Sequence, residues 1–227
     1  MKKILVLMVA AGVLLFASSA FGQAYPVNMY FNGVVDGNSW DGGDTGFYGG
    51  TINGNPTNML CDDFADHIGT GEHWTAVGFN VETLLNNWST LGSQTLFGGS
   101  VGETGYLEMA ILVEASFGGN IAALGSIGAS VDDVSQVLWC ITGGPTNCNS
   151  SGMSANAWAL WQWVKANYSS YTASMFANLW VYTAKPPGPQ EMWGQIPVPE
   201  GGAALMYLLL AGVSCFGAMF FRSRRMA

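Results

Sequence analysis

The feature that most constrains this chain is a run of nineteen almost wholly apolar residues near its C terminus, from Ala203 to Phe221. At about 1.5 Å per residue, a helix of that length covers roughly 28 Å, close to the hydrocarbon thickness of a bilayer. The run is preceded by Glu200 and followed by a basic cluster, Arg222, Arg224 and Arg225. Because basic flanks stay in the cytoplasm, the sequence predicts a transmembrane helix over residues 203–221 with everything before it outside.

The N terminus has the three regions of a secretory signal peptide. Lys2 and Lys3 precede an apolar run from Ile4 to Phe16, and small residues follow as far as Gly22. We therefore predict a signal peptide over residues 1–22, an exported domain over 23–184 and a Pro-rich spacer over 185–197. No cysteine lies near the cleavage region, which argues against a lipoprotein.

The exported part of the chain is acidic and long enough for one domain with a substantial core. Of the basic residues only Lys165 and Lys185 fall in it, against fourteen acidic side chains, a formal charge of −12. Such a surface repels nucleic acid and anionic lipid and is compatible with cationic or neutral partners such as polysaccharide. Acidity that merely keeps an extracellular protein soluble is the alternative interpretation.

Hydrophobic periodicity predicts an α+β domain, strand-rich in its N-terminal half and helical in its C-terminal half. Short β-prone runs are separated by Gly, Asn and Asp turns; they include Tyr25–Val35 and Phe47–Ile52. Apolar residues at helical spacing predict later helices, namely one capped by Asn80, then 106–116, 131–139, 154–166 and a last one over about 170–180.

The cysteines divide into a pair, a membrane residue and a single one. Cys140 and Cys148 enclose a Gly-Gly-Pro turn and predict a small-loop disulfide in an oxidising compartment. Cys215 lies in the predicted membrane helix. An odd cysteine such as Cys61 in an exported chain indicates a disulfide to another molecule, a buried inert thiol or a chemically reactive residue. The neighbouring carboxylates Asp62 and Asp63 are expected to raise its pKa, which argues against a catalytic thiolate.

The C-terminal pattern resembles a known family of sorting signals. Its residues are a Pro-Glu signal, the apolar helix and the terminal arginines: Val198, Pro199, Glu200, Arg222, Arg224 and Arg225. Residues 198–227 are similar to the PEP-CTERM signal, which an exosortase-type membrane protease reads in Gram-negative bacteria that make exopolysaccharide. The resemblance implies an exosortase-like partner, a precursor anchored in the inner membrane, and a mature form at the cell surface or in the extracellular matrix.

The exported domain resembles the thioester domains of bacterial surface adhesins. Cys61 follows a large apolar residue, and Gln136 lies in an apolar stretch that ends in Trp139, on a helix that Ser130 and Asp133 open as a capping box. Many PEP-CTERM proteins also carry Cys-Asp-Asp-Phe early in the chain and Pro189-Gln190-Glu191 late, as here. The resemblance implies an internal thioester between Cys61 and Gln136 that surface amines could open.

Other sites receive weaker support. Trp40, Trp74 and Trp193 are expected to be exposed and are candidate glycan contacts, whereas Trp158 and Trp161 at helical spacing predict core. No complete catalytic, phosphate-binding or zinc motif occurs, so the sequence predicts a non-enzymatic protein without metal or cofactor. The competing hypothesis is a non-covalent exopolysaccharide-binding or structural matrix protein without a reactive bond, in which Cys61 is structural.

Overall fold

The computed structural model describes residues 24–35, 37–118, 122–185 and 190–195. Within these residues, two antiparallel sheets contain eight strands. Burial alternates along the first of them as the pleat requires; the side chains of Val27, Met29 and Phe31 are buried and those between them are not. The strands are β1 (Tyr25–Val34), β2 (Asn38–Trp40), β3 (Gly43–Thr45), β4 (Tyr48–Ile52), β5 (Asn55–Cys61), β6 (His73–Asn80), β7 (Leu179–Ala184) and β8 (Met192–Gln195).

Six of the strands close into a barrel in the order β1-β4-β5-β8-β7-β6, while β2 and β3 form a separate hairpin. Every neighbouring pair is antiparallel, and β8 fills the gap between β5 and β7. Strands β1 and β4 approach very closely, since a Cβ atom at Gly50 would lie 2.1 Å from the carbonyl oxygen of Tyr30. Only glycine therefore fits at this position.

The described helices lie between β6 and β7 in the chain. They are α1 (Val81–Asn86), α2 (Trp88–Leu91), α3 (Gly98–Ser116), α4 (Ala123–Ile127), α5 (Val131–Thr142) and α6 (Ala155–Asn167), with 3₁₀ turns at Gly92–Gln94, Tyr168–Ser170 and Ala173–Phe176. Asn80 caps α1 through Thr83 N, and Ser130 and Asp133 form the predicted capping box of α5. Helix α3 is interrupted at Gly102, whose φ is 73°.

A continuous core joins the barrel to the helices. Helix α5 packs on β3 and β5, and α1 packs on β6 and β7. Buried side chains from both layers form one cluster that includes Leu60, Phe79, Met109, Leu138 and Val181. This packing fixes α5 against the end of β5, where Cys61 lies.

The α+β class and its strand-rich first half are confirmed, but two details of the predicted organisation are wrong. Residues 170–180 form no α-helix: a 3₁₀ turn is followed by β7, whose apolar residues are buried between two strands. The spacer predicted over 185–197 contains β8, so the domain predicted to end at 184 extends to Gln195.

No helix in the described part of the chain is long and apolar enough to cross a bilayer. The signal peptide over 1–22, the helix over 203–221 and the sorting residues Val198, Pro199, Glu200, Arg222, Arg224 and Arg225 lie outside the described residues.

Candidate functional site

The chemically unusual groups converge where β5 ends and β8 begins. Cys61, the last residue of β5, pairs with Met192, the first residue of β8. The antiparallel register continues past both strand ends, because the side chains of Asp62 and Glu191 meet and that of Gln190 reaches the Asp63 carbonyl. This segment pair, 61–63 with 190–192, is called the Cys61–Gln190 junction below.

The Cys61 thiol is sealed from solvent and is not part of the disulfide. Its Sγ lies 3.1 Å from the carbonyl oxygen of Asp63, and the Asp63 N–H donates back to Sγ at 3.3 Å. Burial, followed by the charge of Asp62, raises the thiol pKa well above its usual value. The expected direction is confirmed, with burial as the larger cause, so this cysteine is a protonated thiol rather than a thiolate nucleophile.

Gln190 is nearly as buried, with 5% of its surface exposed. Its Nε2 donates to the carbonyl oxygens of Asp63, at 3.3 Å, and of Asp66. Its buried Oε1 has no hydrogen-bond partner among the described residues. A buried carbonyl left without a donor costs about 1–3 kcal/mol, so this amide is held in an unfavourable state.

A buried carboxyl pair lies beside the thiol and the amide. Glu191 accepts hydrogen bonds from Tyr106 OH, from Thr183 OH and, at 2.9 Å, from Leu96 N–H. Asp62 accepts from Trp193 Nε1 at 2.6 Å. Burial, then the neighbouring Glu191, raises the pKa of Asp62 well above its usual value, and burial also raises that of Glu191. Glu191 is the member of the pair that accepts from three donors, whereas Asp62 Oδ1 is buried without a hydrogen-bond partner among the described residues.

Helix α5 fixes the segment after Cys61. Trp139 Nε1 donates to the Cys61 carbonyl at 3.1 Å, and Thr142 OH donates to the Asp62 carbonyl at 2.7 Å. The Phe64 ring packs against Trp139, and a Cβ atom at Gly144 would lie 2.4 Å from the Phe64 Cβ. The backbone around the thiol is therefore held by a rigid helix.

A pocket of about 230 Å³ opens next to this segment. Aromatic side chains and carboxylates share its lining, together with the Gln190 side chain; the lining includes Tyr48, Phe64, Trp139, Asp44, Asp63 and Asp66. Burial, followed by the nearby Cys61 and Asp44, raises the pKa of Tyr48, which places that ring close to the thiol. The described part of the chain holds no group of three His, Cys, Asp or Glu side chains arranged to bind a metal ion.

Gln136 lies in a different environment. Its Oε1 accepts from Ser154 N–H at 3.0 Å, at the start of α6, beside the bond between Ser154 OH and Asp133. The backbone carbonyls of Cys61 and Asp62 instead accept from Trp139 and Thr142, farther along α5. No hydrogen bond links Gln136 to Cys61 among the described residues, so their thioester stays a prediction that these contacts do not favour.

The predicted disulfide is present between Cys140 and Cys148, with the Cα atoms 5.5 Å apart. It closes the turn between α5 and α6. The loop that carries Ser154 therefore starts from a fixed point at the end of α5.

The expectation that three tryptophans are exposed is wrong for two of them. Trp193 is fully buried because β8 enters the barrel, and Trp74 in β6 is 8% exposed. Neither can stack on a glycan in this fold. Trp40 is half-buried; it stacks on Trp139 and donates to the Gly152 carbonyl at 2.9 Å.

Several residues of the junction are missing from the sequence-based site. Glu191 and Gln190 were assigned to a spacer, and Tyr106 to an ordinary helix. The signal that could have identified them is the polar pair Gln190-Glu191 directly before the apolar Met192-Trp193. Two polar residues joined to an apolar pair are unusual in a flexible linker.

Comparison with known proteins gives no match: no family model, no curated protein and no solved structure aligns significantly with this chain.

Proposed function

We propose that the protein is an exported surface or extracellular-matrix protein, sorted by an exosortase-like protease, that attaches to its surroundings through an internal thioester at Cys61. The observation that carries the proposal is the sealed, unpaired Cys61 thiol next to a buried side-chain amide and an acidic, aromatic pocket. The Cys140–Cys148 disulfide supports export, because disulfides persist in oxidising compartments.

The chemistry requires a protected electrophile. The cysteine Sγ bonds to the side-chain carbonyl carbon of a glutamine, and the amide nitrogen leaves as ammonia with the thiol proton. A partner amine then attacks that carbon, forms an amide and releases the thiol, so the partner becomes covalently attached. Storage requires that water be excluded from the thioester, as the burial of Cys61 provides.

Intact mass spectrometry of the exported full-length gene product tests this function. We expect a mass about 17 Da below that of the oxidised chain, corresponding to lost ammonia, and restoration of the full value in Cys61→Ala after correction for the substitution. The same spectrum shows whether the tail after Glu200 has been removed. A wild-type protein at its full mass, isolated without exposure to amines, would rule out the thioester.

A second function, non-covalent binding of exopolysaccharide, is favoured by the pocket itself. Aromatic rings with neighbouring hydrogen-bonding groups are the usual lining of sugar sites, and Phe64, a half-buried ring, lies in this lining together with Asp66. Calorimetric titration with exopolysaccharide fragments separates the two functions. Reversible binding that survives in Cys61→Ala and weakens at least tenfold in Phe64→Ala would support the non-covalent function.

A further inference from the structure

We infer that Gln190, and not Gln136, is the acyl partner of Cys61, so that the internal thioester joins Cys61 Sγ to the side-chain carbonyl carbon of Gln190. The inference rests on the proposed function, since it names the second residue of the same reactive bond. It also predicts that this bond is opened by a primary amine entering through the adjoining pocket.

The register of β5 and β8 supports this pairing of Cys61 with Gln190. Cys61 is opposite Met192, and Gln190 precedes Met192 by two residues. Residues two apart in an extended chain point to the same side, so Gln190, two residues before the first paired residue of β8, is a diagonal neighbour of Cys61 just beyond the end of the ladder. Such diagonal neighbours are about 7–8 Å apart between Cα atoms, within reach of a short cysteine and a long glutamine side chain. Asp62 and Glu191 occupy the opposite face.

Cys61 and Gln190 also share a contact, the carbonyl oxygen of Asp63. The Cys61 Sγ lies 3.1 Å from the Asp63 carbonyl oxygen, and Gln190 Nε2 donates to that same oxygen at 3.3 Å. The thiol sulfur that must bond to the Gln190 carbonyl carbon and the amide nitrogen that must leave are therefore neighbours around one atom. Holding the two reacting groups in place in this way lowers the entropic part of the barrier.

The burial and hydrogen bonding of the Gln190 amide also favour the reaction. Gln190 is 5% exposed, and its Oε1 is buried without a hydrogen-bond donor among the described residues. An amide oxygen is a strong acceptor and a thioester oxygen is a weak one, so thioester formation reduces the cost of the missing donor. Gln136 offers no such gain, because its Oε1 already accepts from Ser154 N–H at 3.0 Å.

The adjoining pocket gives a primary amine access to Gln190. Gln190 lines the pocket of about 230 Å³, and Tyr48, which lies near the Cys61 thiol, lines it too. Carboxylates Asp44, Asp63 and Asp66 also belong to the lining, whereas none of its described residues is Lys or Arg. A negatively charged pocket attracts a protonated primary amine and repels anions.

The atoms balance without an oxidant or a cofactor. In the first step the Sγ–C bond forms, the C–N bond of Gln190 breaks, and ammonia leaves with the thiol proton. In the second step the nitrogen of a primary amine bonds to the same carbon, the C–S bond breaks, and the amine proton returns to sulfur. The product is a substituted amide at residue 190 and a free Cys61 thiol.

Intact mass and peptide mapping of the exported full-length gene product distinguish the two glutamines. We expect the deficit of about 17 Da in wild type and in Gln136→Ala, and its loss in Cys61→Ala and Gln190→Ala. Treatment of wild type with methylamine should then add about 31 Da, and fragment spectra should place an N-methylamide at residue 190. The peptide measurement needs no variant, so misfolding of Gln190→Ala cannot obscure the result.

A deficit that persists in Gln190→Ala and disappears in Gln136→Ala, with the methylamide at residue 136, would overturn the inference and leave the proposed function standing. A wild-type protein at full mass that gains nothing from methylamine would overturn both.

Discussion

The two buried glutamines lie in regions of opposite character. Around Gln136, a disulfide ties the end of α5 to the loop before α6, both helices begin at side-chain caps, and the Gln136 Oε1 has its donor. Around Gln190, the contacts join residues about 130 positions apart, two carboxyl groups are buried together, and the Oε1 has no donor within the described part of the chain. Groups held in costly states without a structural need indicate function, so the second region is the better candidate.

The largest expected effect is that of Glu191→Gln. The side chain must accept from three donors, and an amide offers only one oxygen and turns an N–H toward the others. We expect a loss of about 3 kcal/mol in the free energy of unfolding, measured by urea denaturation. Glu103→Gln, an exposed position on α3, is the matched control and should change stability by less than about 0.5 kcal/mol. Equal losses of stability in the two variants would show that the hydrogen bonds to Glu191 do not stabilise the fold.

The next effect tests the Gln136 region. Replacing Cys140 and Cys148 together by alanine opens a loop with a sequence separation of 8. Chain entropy predicts a loss of about 2–3 kcal/mol in the free energy of unfolding. Because this region is structural in our interpretation, the deficit of about 17 Da should persist in the double variant. Loss of that deficit in a folded double variant would mean that the two regions are chemically coupled.

The smallest effect on stability is expected from Asp62→Asn, and it appears as a change in pH dependence. Burial raises the pKa of Asp62 above its ordinary value of 3.8, so below about pH 4 both folded and unfolded chains carry the proton. As the pH rises further, the unfolded chain ionises and the folded chain does not, so stability falls. Asparagine imitates the protonated acid and does not titrate.

The variant should therefore stay within about 1 kcal/mol of wild type at pH 5 and lose less stability than wild type between pH 5 and 8. Urea denaturation at several pH values measures how the free energy of unfolding of each protein changes with pH. Parallel curves for the two proteins would show that Asp62 is ionised in the folded state.

Sequence could predict what short-range signals determine. The cap at Asn80 and the capping box at Ser130 depend on residues three positions apart, and the helices they begin are where the pattern puts them. The Cys140–Cys148 pairing likewise follows from a turn between close neighbours. These features belong to the Gln136 region or, for Asn80, to the start of α1.

The rest could not be predicted because its causes lie far apart in the chain. Leu179–Ala184 is a short apolar run, and such a run fits a buried helix or a buried strand equally well. Residues 192–195 follow a proline-rich stretch, and only pairing with β5 and β7 makes them a strand and buries Trp193. The burial of Gln190 and Glu191 follows from that pairing, so the linear pattern shows that these polar residues precede an apolar pair but does not place them beside Cys61.

The position of β8 also sets the point at which the barrel can close. Without residues 192–195, β5 and β7 would each present an unpaired edge, the usual template for aggregation. Synthesis proceeds from the N terminus, so the barrel can close only after nearly the whole domain has been made. Its closure depends on contacts between residues far apart in the chain, which makes folding slow. A chain cut before residue 190 should therefore need a chaperone to remain in solution.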